Sequence, residues 1–201
     1  MKFEASVIIP VFNEEQRIKP FLNELRQESK KSWEVIFVDD GSKDGSADVI
    51  KSSGIPNLKI ISYKKNRGKG YAVKKGVEAS AGRCILFIDA DGSIHPSEIK
   101  KMLLLLQKHD FVVGNRAARD SEVEQPLLRR FFGICFNAYS NFLFGLSIRD
   151  KLCGFKGFKS HVAKKLFKNL ESNRWIFDIE VFFKAKKIGI EPFLMPIKWE
   201  H

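Results

Sequence analysis

Residues 84–93 read Cys-Ile-Leu-Phe-Ile-Asp-Ala-Asp-Gly-Ser, and no other stretch constrains the fold of this chain as strongly. Ile85, Leu86, Phe87 and Ile88 run without a polar break. A short unbroken apolar run predicts a strand covered on both faces, as inside a parallel sheet. It stops at two carboxylates, Asp89 and Asp91, and Gly92 lets the chain turn. Alternate side chains of an extended segment share a side, so the spacing predicts that Asp89 and Asp91 point the same way. Two carboxylates in one crevice repel each other unless a proton or a cation lies between them. Hard oxygen ligands suit Mg²⁺ or Mn²⁺, and Mg²⁺ commonly takes one or two carboxylates plus substrate phosphates. Asp-x-Asp alone is a common solvated turn; its weight here comes from the rest of the chain.

A second buried-strand pattern lies at 6–11, and further strands are predicted at 34–39, 58–62 and 110–113. Helical patterns separate them. Ile18, Phe21, Leu22 and Leu25 share one helical face, and a short helix is predicted over 46–52. Asn66-Arg67-Gly68-Lys69-Gly70 opens a third helix, and 96–108 forms a fourth, with Pro96 and Glu98 in its first turn where helix starts favour them. Asn13 with Gln16 three residues on predicts a capping box for the first helix. Pro20 conflicts with that pattern and predicts a kink or a later start. Alternation of strand and helix predicts an α/β domain with a mostly parallel sheet covered on both faces. Such sheets bind ligands at the carboxyl ends of their strands. Asn13-Glu14, Asp39-Asp40, Asp89/Asp91 and Asn115-Arg116 all fall there.

Beyond residue 116 the character changes. A charged loop covers 116–125. The stretch 126–146 then gathers Phe131, Phe132, Phe136, Phe142 and Phe144 with Tyr139. Arg129, Arg130, Asn137, Ser140 and Asn141 interrupt it, against the ~20 mostly apolar residues a membrane span needs. An interfacial helix, with Phe at the acyl boundary and Arg at the headgroups, and an ordinary core helix both fit. A basic helix at 161–169, a helix from Arg174-Trp175 towards Gly189, and a Pro-broken edge strand at 190–199 complete the chain. Trp175 suits either stacking on a sugar or lipid, or core packing. No repeat or linker divides the sequence, which predicts one domain, 1–201.

Composition removes several classes. With 201 residues and 44% hydrophobic content, the chain can bury a sizeable core. Cys84, Cys135 and Cys153 are odd in number and widely spaced, which predicts thiols in a reducing compartment rather than disulfides or zinc. The start, Met1-Lys2-Phe3-Glu4, shows no signal-peptide pattern. A net charge of +11 favours anionic partners: nucleic acid, acidic lipid or a phosphorylated substrate. A nucleic-acid-binding protein would account for that charge. It would not account for acidic strand ends, which repel a phosphate backbone. Lys64-Lys65 and Lys164-Lys165 read as solvated faces that also suit an anionic membrane surface.

The segments Val7-Ile-Ile-Pro-Val-Phe-Asn-Glu-Glu15, Val38-Asp-Asp-Gly-Ser42, Asn66-Arg-Gly-Lys-Gly70 and Asp89-Ala-Asp91 together resemble the family 2 glycosyltransferases. Ile148-Arg-Asp150, Cys153-Gly-Phe-Lys156 and Trp175-Ile-Phe-Asp-Ile-Glu180 resemble the branch that makes polyprenyl-phosphate sugars, its dolichyl-phosphate β-glucosyltransferases above all. The resemblance implies a GT-A fold, a Rossmann-like, mostly parallel central sheet with helices on both faces. It implies a nucleotide-sugar half, 1–116, and an acceptor and membrane-facing half, 117–201. Pro10, Phe12, Asn13 and Glu14 would line the nucleotide pocket. Asp40 would hydrogen-bond the base, with Asp39 nearby, and Lys69 would lie near the donor. Asp89, with Ala90 beside it, would face the ribose or the metal, and Asp91 would hold the Mg²⁺ or Mn²⁺ that bridges the diphosphate. Arg116 and Arg130 match positions that grip the acceptor phosphate, and Asp150 matches an acceptor-side carboxylate, with Asp178 second for that role.

The implied reaction is inverting transfer of a hexose, glucose from UDP-glucose, to a polyprenyl (dolichyl) phosphate. The implied setting is the cytoplasmic face of a membrane, with peripheral contact and no nucleic acid. Mannose from GDP-mannose and a glycan acceptor are the alternatives; Ser93 stands where mannose-transferring members carry Gln, which weakens the mannose reading. The family usually continues past the last strand, so the resemblance also implies a further C-terminal segment or a membrane-subunit partner. A phosphate monoester has its second pKa near ~6 and is largely dianionic at neutral pH. Asp150 is therefore expected to orient or repel the acceptor rather than to take its proton.

Overall fold

Seven strands carry the architecture in this computed structural model, which describes residues 2–116, 145 and 150–199. They are β1 (Phe3–Val11), β2 (Trp33–Asp39), β3 (Leu58–Ser62), β4 (Gly82–Phe87), β5 (Phe111–Asn115), β6 (Lys156–Lys159) and β7 (Phe193–Pro196). They lie in one sheet in the order β3-β2-β1-β4-β6-β5-β7. β1 runs parallel to β2 and β4, β2 to β3, and β5 to β7. β6 alone runs antiparallel to its neighbours, β4 and β5. Val7 sits opposite Val35 on one side and Leu86 on the other.

The described helices are α1 (Ile18–Glu28), α2 (Ser46–Lys51), α3 (Lys69–Ala79), α4 (Glu98–Leu106), α5 (Ser160–Phe167) and α6 (Phe177–Lys187). They cover both faces, and the strand period assigns residues to each. Val7, Ile9 and Val11 of β1 pack with Phe21 and Leu25 of α1 and with Met102 of α4. Ile8, between them, faces the other way, with Val73 of α3, Leu166 of α5 and Phe182 of α6. Full burial of each such aliphatic side chain contributes about 1.5–3 kcal/mol. This explains why the central strands read as unbroken apolar runs.

β6 escapes the sequence reading, and the reason is physical. Lys-Gly-Phe-Lys carries little strand propensity. The strand exists because tertiary contacts complete it. Gly157 lies so close to α4 that an added Cβ would stand 2.5 Å from the Met102 sulfur. Lys156 is fully buried against a carboxylate. The sheet is thus mostly parallel, with one antiparallel insertion from the second half of the chain.

Two expectations at α1 change. Asn13 does not cap the helix: α1 starts at Ile18, preceded by Arg17, with no side-chain cap. Asn13 instead adopts a left-handed φ of 54° and ties two loops together, its side chain accepting the Lys43 N–H and its own N–H donating to Ser42 Oγ. Pro20 causes no conflict, because it falls in the first turn of α1, where a backbone N–H has no helical partner anyway. No helix among the described residues is long and apolar enough to cross a membrane. Arg130 and the Phe-rich stretch 126–146, Gly145 apart, lie outside the described residues.

Candidate active site

β1, β2 and β4 are parallel, so their carboxyl ends share one rim of the sheet. A cleft of about 360 Å³ opens there. β1 supplies Pro10 and Val11, and Phe12 and Glu14 follow it; Asp89, Ala90 and Asp91 follow β4. Asp40 comes from the end of β2, and Asn66, Gly68 and Lys69 from the entry to α3. Arg174 and Trp175, just ahead of α6, complete the lining. Eight of the residues implied by the resemblance therefore meet around one space, Asp89 and Asp91 among them.

Others implied for the site stand beside the cleft rather than in its lining. Asn13 bridges loops as described above. Asp39 is buried and accepts the Ser42 N–H at 2.9 Å, closing the turn after β2. Asp40 lines the cleft, and each of its oxygens accepts a backbone N–H, from Arg67 and from Gly68, both at 2.8 Å. It clamps the glycine loop that starts α3, so the contact it makes here is with the loop. Burial pushes the Glu14 carboxyl above its ordinary range; Arg17 pulls against this, and Asp91 and Asp44 add to the rise.

An alternating row of charges runs inward from the cleft. Lys69 Nζ lies 2.5 Å from Asp89 Oδ1 and 5.6 Å from the Trp175 ring centroid. Burial pulls the Lys69 ammonium down, but Asp89 and Asp178 outweigh it and hold the group above its ordinary range. Deeper still, Lys156 Nζ donates to Asp178 Oδ1 at 2.7 Å and to the Cys153 carbonyl at 2.6 Å. The Phe87 and Phe182 rings flank that ammonium. Burial raises the Asp178 carboxyl, with Lys156 and Lys69 pulling against it. Asp178, second choice for the acceptor-side carboxylate, is 3% exposed and paired with Lys156, behind the cleft lining.

Asp150 is engaged in the same way. It accepts three bonds from Arg116, from the backbone N–H at 2.9 Å and from Nε and Nη2 at 2.9 and 2.7 Å. A two-pronged guanidinium–carboxylate pair fixes both groups. Asp150 thus positions Arg116. Cys153 is buried, and burial pushes its thiol up to about 12, so it offers no thiolate.

Three features gain a place at the site only in the structure. Arg174 and Trp175 reach the cleft from the second half of the chain; Trp175 is 71% exposed, so the core-packing alternative falls. Glu180 anchors the segment ahead of them, accepting N–H bonds from Glu171 and Ser172 at 3.0 and 2.7 Å. Burial would raise its carboxyl, but Lys184 and those N–H groups bring it down to about 2. Gly154 is the third. A Cβ there would fall inside the Asp89 carboxylate, so only glycine allows Asp89 its position. Gly154→Ala is expected to lower turnover by roughly 10²-fold, because a ~1 Å misplacement at a reacting centre has that effect. Steady-state rates beside an unchanged circular-dichroism spectrum check this.

The donor set fits a divalent cation by its chemistry. Asp91 is exposed, and of its contacts the Ser93 N–H on Oδ1, at 3.0 Å, is local to its own turn. No group of three or more His, Cys, Asp or Glu side chains that could hold a metal occurs among the described residues. Two hard carboxylates would therefore share the ion with water and substrate phosphates, as Mg²⁺ sites commonly do.

A parallel α/β sheet with this acid-lined cleft at its carboxyl rim has the GT-A arrangement of nucleotide-sugar transferases, and solved structures agree on the fold. The Mycobacterium tuberculosis glucosyl-3-phosphoglycerate synthase, crystallised with Mn²⁺, UDP and glucosyl-3-phosphoglycerate, superposes with a TM-score of 0.70 at 18% identity, covering 97% of this chain and 70% of that one. Staphylococcus aureus TarS 1–349 with UDP-GlcNAc gives 0.65 at 20%, covering 99% and 59%. Residues 6–167 match the family described as glycosyl transferase family 2, and the chain belongs to it. A Dictyostelium discoideum dolichyl-phosphate beta-glucosyltransferase is 33% identical over 96% of this chain and 65% of its own length. The human protein of that name is 32% identical over 98% and 67%. The chain thus spans about two thirds of these relatives, 65% and 67%.

Proposed function

We propose that this chain is the catalytic domain of an inverting glucosyltransferase that moves glucose from UDP-glucose to a polyprenyl phosphate of the dolichyl type. It would work at the cytoplasmic face of a membrane, by peripheral contact, with Mg²⁺ or Mn²⁺. The observation that carries the reading is the 33% identity with a dolichyl-phosphate beta-glucosyltransferase across 96% of the chain, together with the acid-lined cleft that the shared motifs build. The acceptor phosphate oxygen forms a bond to the anomeric carbon, the bond from that carbon to the diphosphate breaks, and nucleoside diphosphate leaves. The ion, when bound by Asp89 and Asp91, neutralises charge growing on the departing diphosphate.

This chain's own residues do the rest. Lys69 and Arg174 bring positive charge to the cleft, and Trp175 offers a broad exposed ring for stacking. Asp40 holds the loop that carries Lys69. Arg116, kept in place by Asp150, is offered to the acceptor phosphate, which needs no base because it is already anionic. The first half of the chain supplies most of the donor cleft, and the second half adds Arg174 and Trp175. The test is incubation with Mn²⁺, a polyprenyl phosphate and radiolabelled UDP-glucose, GDP-mannose and UDP-GlcNAc in separate reactions. Label from UDP-glucose is expected in the organic phase. Label from GDP-mannose alone would overturn the choice of sugar, and no transfer from any donor would overturn the acceptor.

A further inference from the structure

The two acids of the cleft differ in state. Asp91 is exposed, and its Oδ1 bond is to its own turn. Asp89 is already neutralised: Lys69 Nζ stands 2.5 Å from Oδ1, while Oδ2 is packed against Gly154. The ammonium is not there by chance of a floppy side chain. Its backbone follows Gly68, which Asp40 clamps, and the Trp175 ring lies beside it. Buried Asp178 adds a second negative charge that favours the cation at this spot. Lys69 itself is mostly covered, its side chain 15% exposed.

A divalent ion arriving alone meets one open carboxylate and an ammonium on the other. A second cation that close is strongly repelled in a half-buried site. An arriving diphosphate changes the balance, because it gives the ammonium another anion. Lysine suits such an exchange: it is a compact point charge with three donors on a flexible stem.

We propose that Lys69 is a charge lock on Asp89, withholding that carboxylate from the metal until a nucleoside diphosphate draws the ammonium away, so that metal and diphosphate load together. The proposal rests on the nucleotide-sugar reading of the cleft. It makes Lys69 a positioning residue for the ion, and it concerns binding order rather than the transfer step.

The experiment is a Mn²⁺ titration of the full chain, followed by the electron-paramagnetic signal of unbound Mn²⁺, with and without UDP. Wild type is expected to bind Mn²⁺ weakly alone and at least ~10-fold tighter with UDP, a factor equal to one decade of affinity. Lys69→Met is expected to bind Mn²⁺ alone ~10-fold tighter than wild type, and to gain less from UDP. Lys69→Arg keeps the charge and is expected to stay weak alone. Lys69→Gln gives an independent reading if Lys69→Met fails to fold, and it should show the same gain. Adding Asp89→Asn to either neutral variant should erase the gain, because the released Asp89 carboxylate is what takes up the ion. A neutral Lys69 variant with no gain in Mn²⁺ affinity overturns the lock. So does a gain that survives Asp89→Asn. Failure of UDP to bind wild type at any Mn²⁺ concentration overturns the nucleotide-sugar reading instead.

Discussion

Asp91→Ala is expected to cut sugar transfer by about 10²–10³-fold, the loss that follows removal of one preorganised group facing charge developed in a transition state. Its effect on folding is expected to be small. The side chain is exposed, and its Oδ1 contact is with the adjacent Ser93 N–H. Substitutions at such surface positions stay within about 0.5 kcal/mol, and for a chain of this size that moves the unfolding midpoint by about 2 °C or less. The two measurements are the initial rate of label entering the organic phase and the thermal midpoint of the same preparation. Asp91→Asn sharpens the comparison, since it keeps the shape and removes the charge. A rate within a few fold of wild type in either variant, at saturating Mn²⁺, would remove Asp91 from the metal and with it the chemistry assigned to the rim. Loss of rate with a large fall in midpoint would make the residue structural.

The parallel half of the molecule was readable because its rules are local. β1, β2 and β4 are apolar runs ended by polar residues, and a parallel sheet covered by helices puts those ends on one rim. Glu14, Asp40, Asp89 and Asp91 could therefore be brought together on paper. What they do there was less readable. Asp40 clamps Arg67 and Gly68, and Asn13 bridges to Lys43, because the loops pack on one another; spacing along the chain carries no trace of that. The second half defeats local rules altogether. β6 is a strand only because Gly157 admits α4 and Asp178 neutralises Lys156, contacts 22 residues apart in the latter case. Arg174 and Trp175 read as the opening of a helix, yet α6 starts at Phe177 and leaves both ahead of it, and the anchor that aims them, Glu180, lies beyond them in α6. Even the motif glycine, Gly154, shows its purpose only once Asp89 is seen against it.

The buried pair Lys156–Asp178 carries the other large effect, and it separates stability from activity. Both side chains are sealed from solvent, at 0% and 4% exposure. Lys156→Met is expected to cost about 3–5 kcal/mol, because it strands a buried carboxylate. Met itself fits the space between the Phe87 and Phe182 rings, so lost packing is a minor part. The deficit should depend on pH with a definite sign. The Asp178 carboxyl is already raised in the fold, by burial first, and losing Lys156 raises it further. Between the unfolded carboxylate pKa near ~3.9 and that raised value, the folded state holds a proton the unfolded state has released, so stability falls as pH rises and levels off above it. Denaturant midpoints of Lys156→Met from pH 4 upward should decline relative to wild type. The double variant Lys156→Met/Asp178→Leu removes the stranded charge and is expected to regain most of the loss, since apolar replacement of a buried pair is often neutral. Activity should not return with it. Asp178 is also the second anion behind Lys69, so the double variant leaves that ammonium less firmly held and transfer at least ~10-fold down. A double variant that is both stable and fully active would confine Asp178 to the core and detach it from the cleft. One that stays as unstable as Lys156→Met would mean that packing, rather than charge, holds β6 in the sheet.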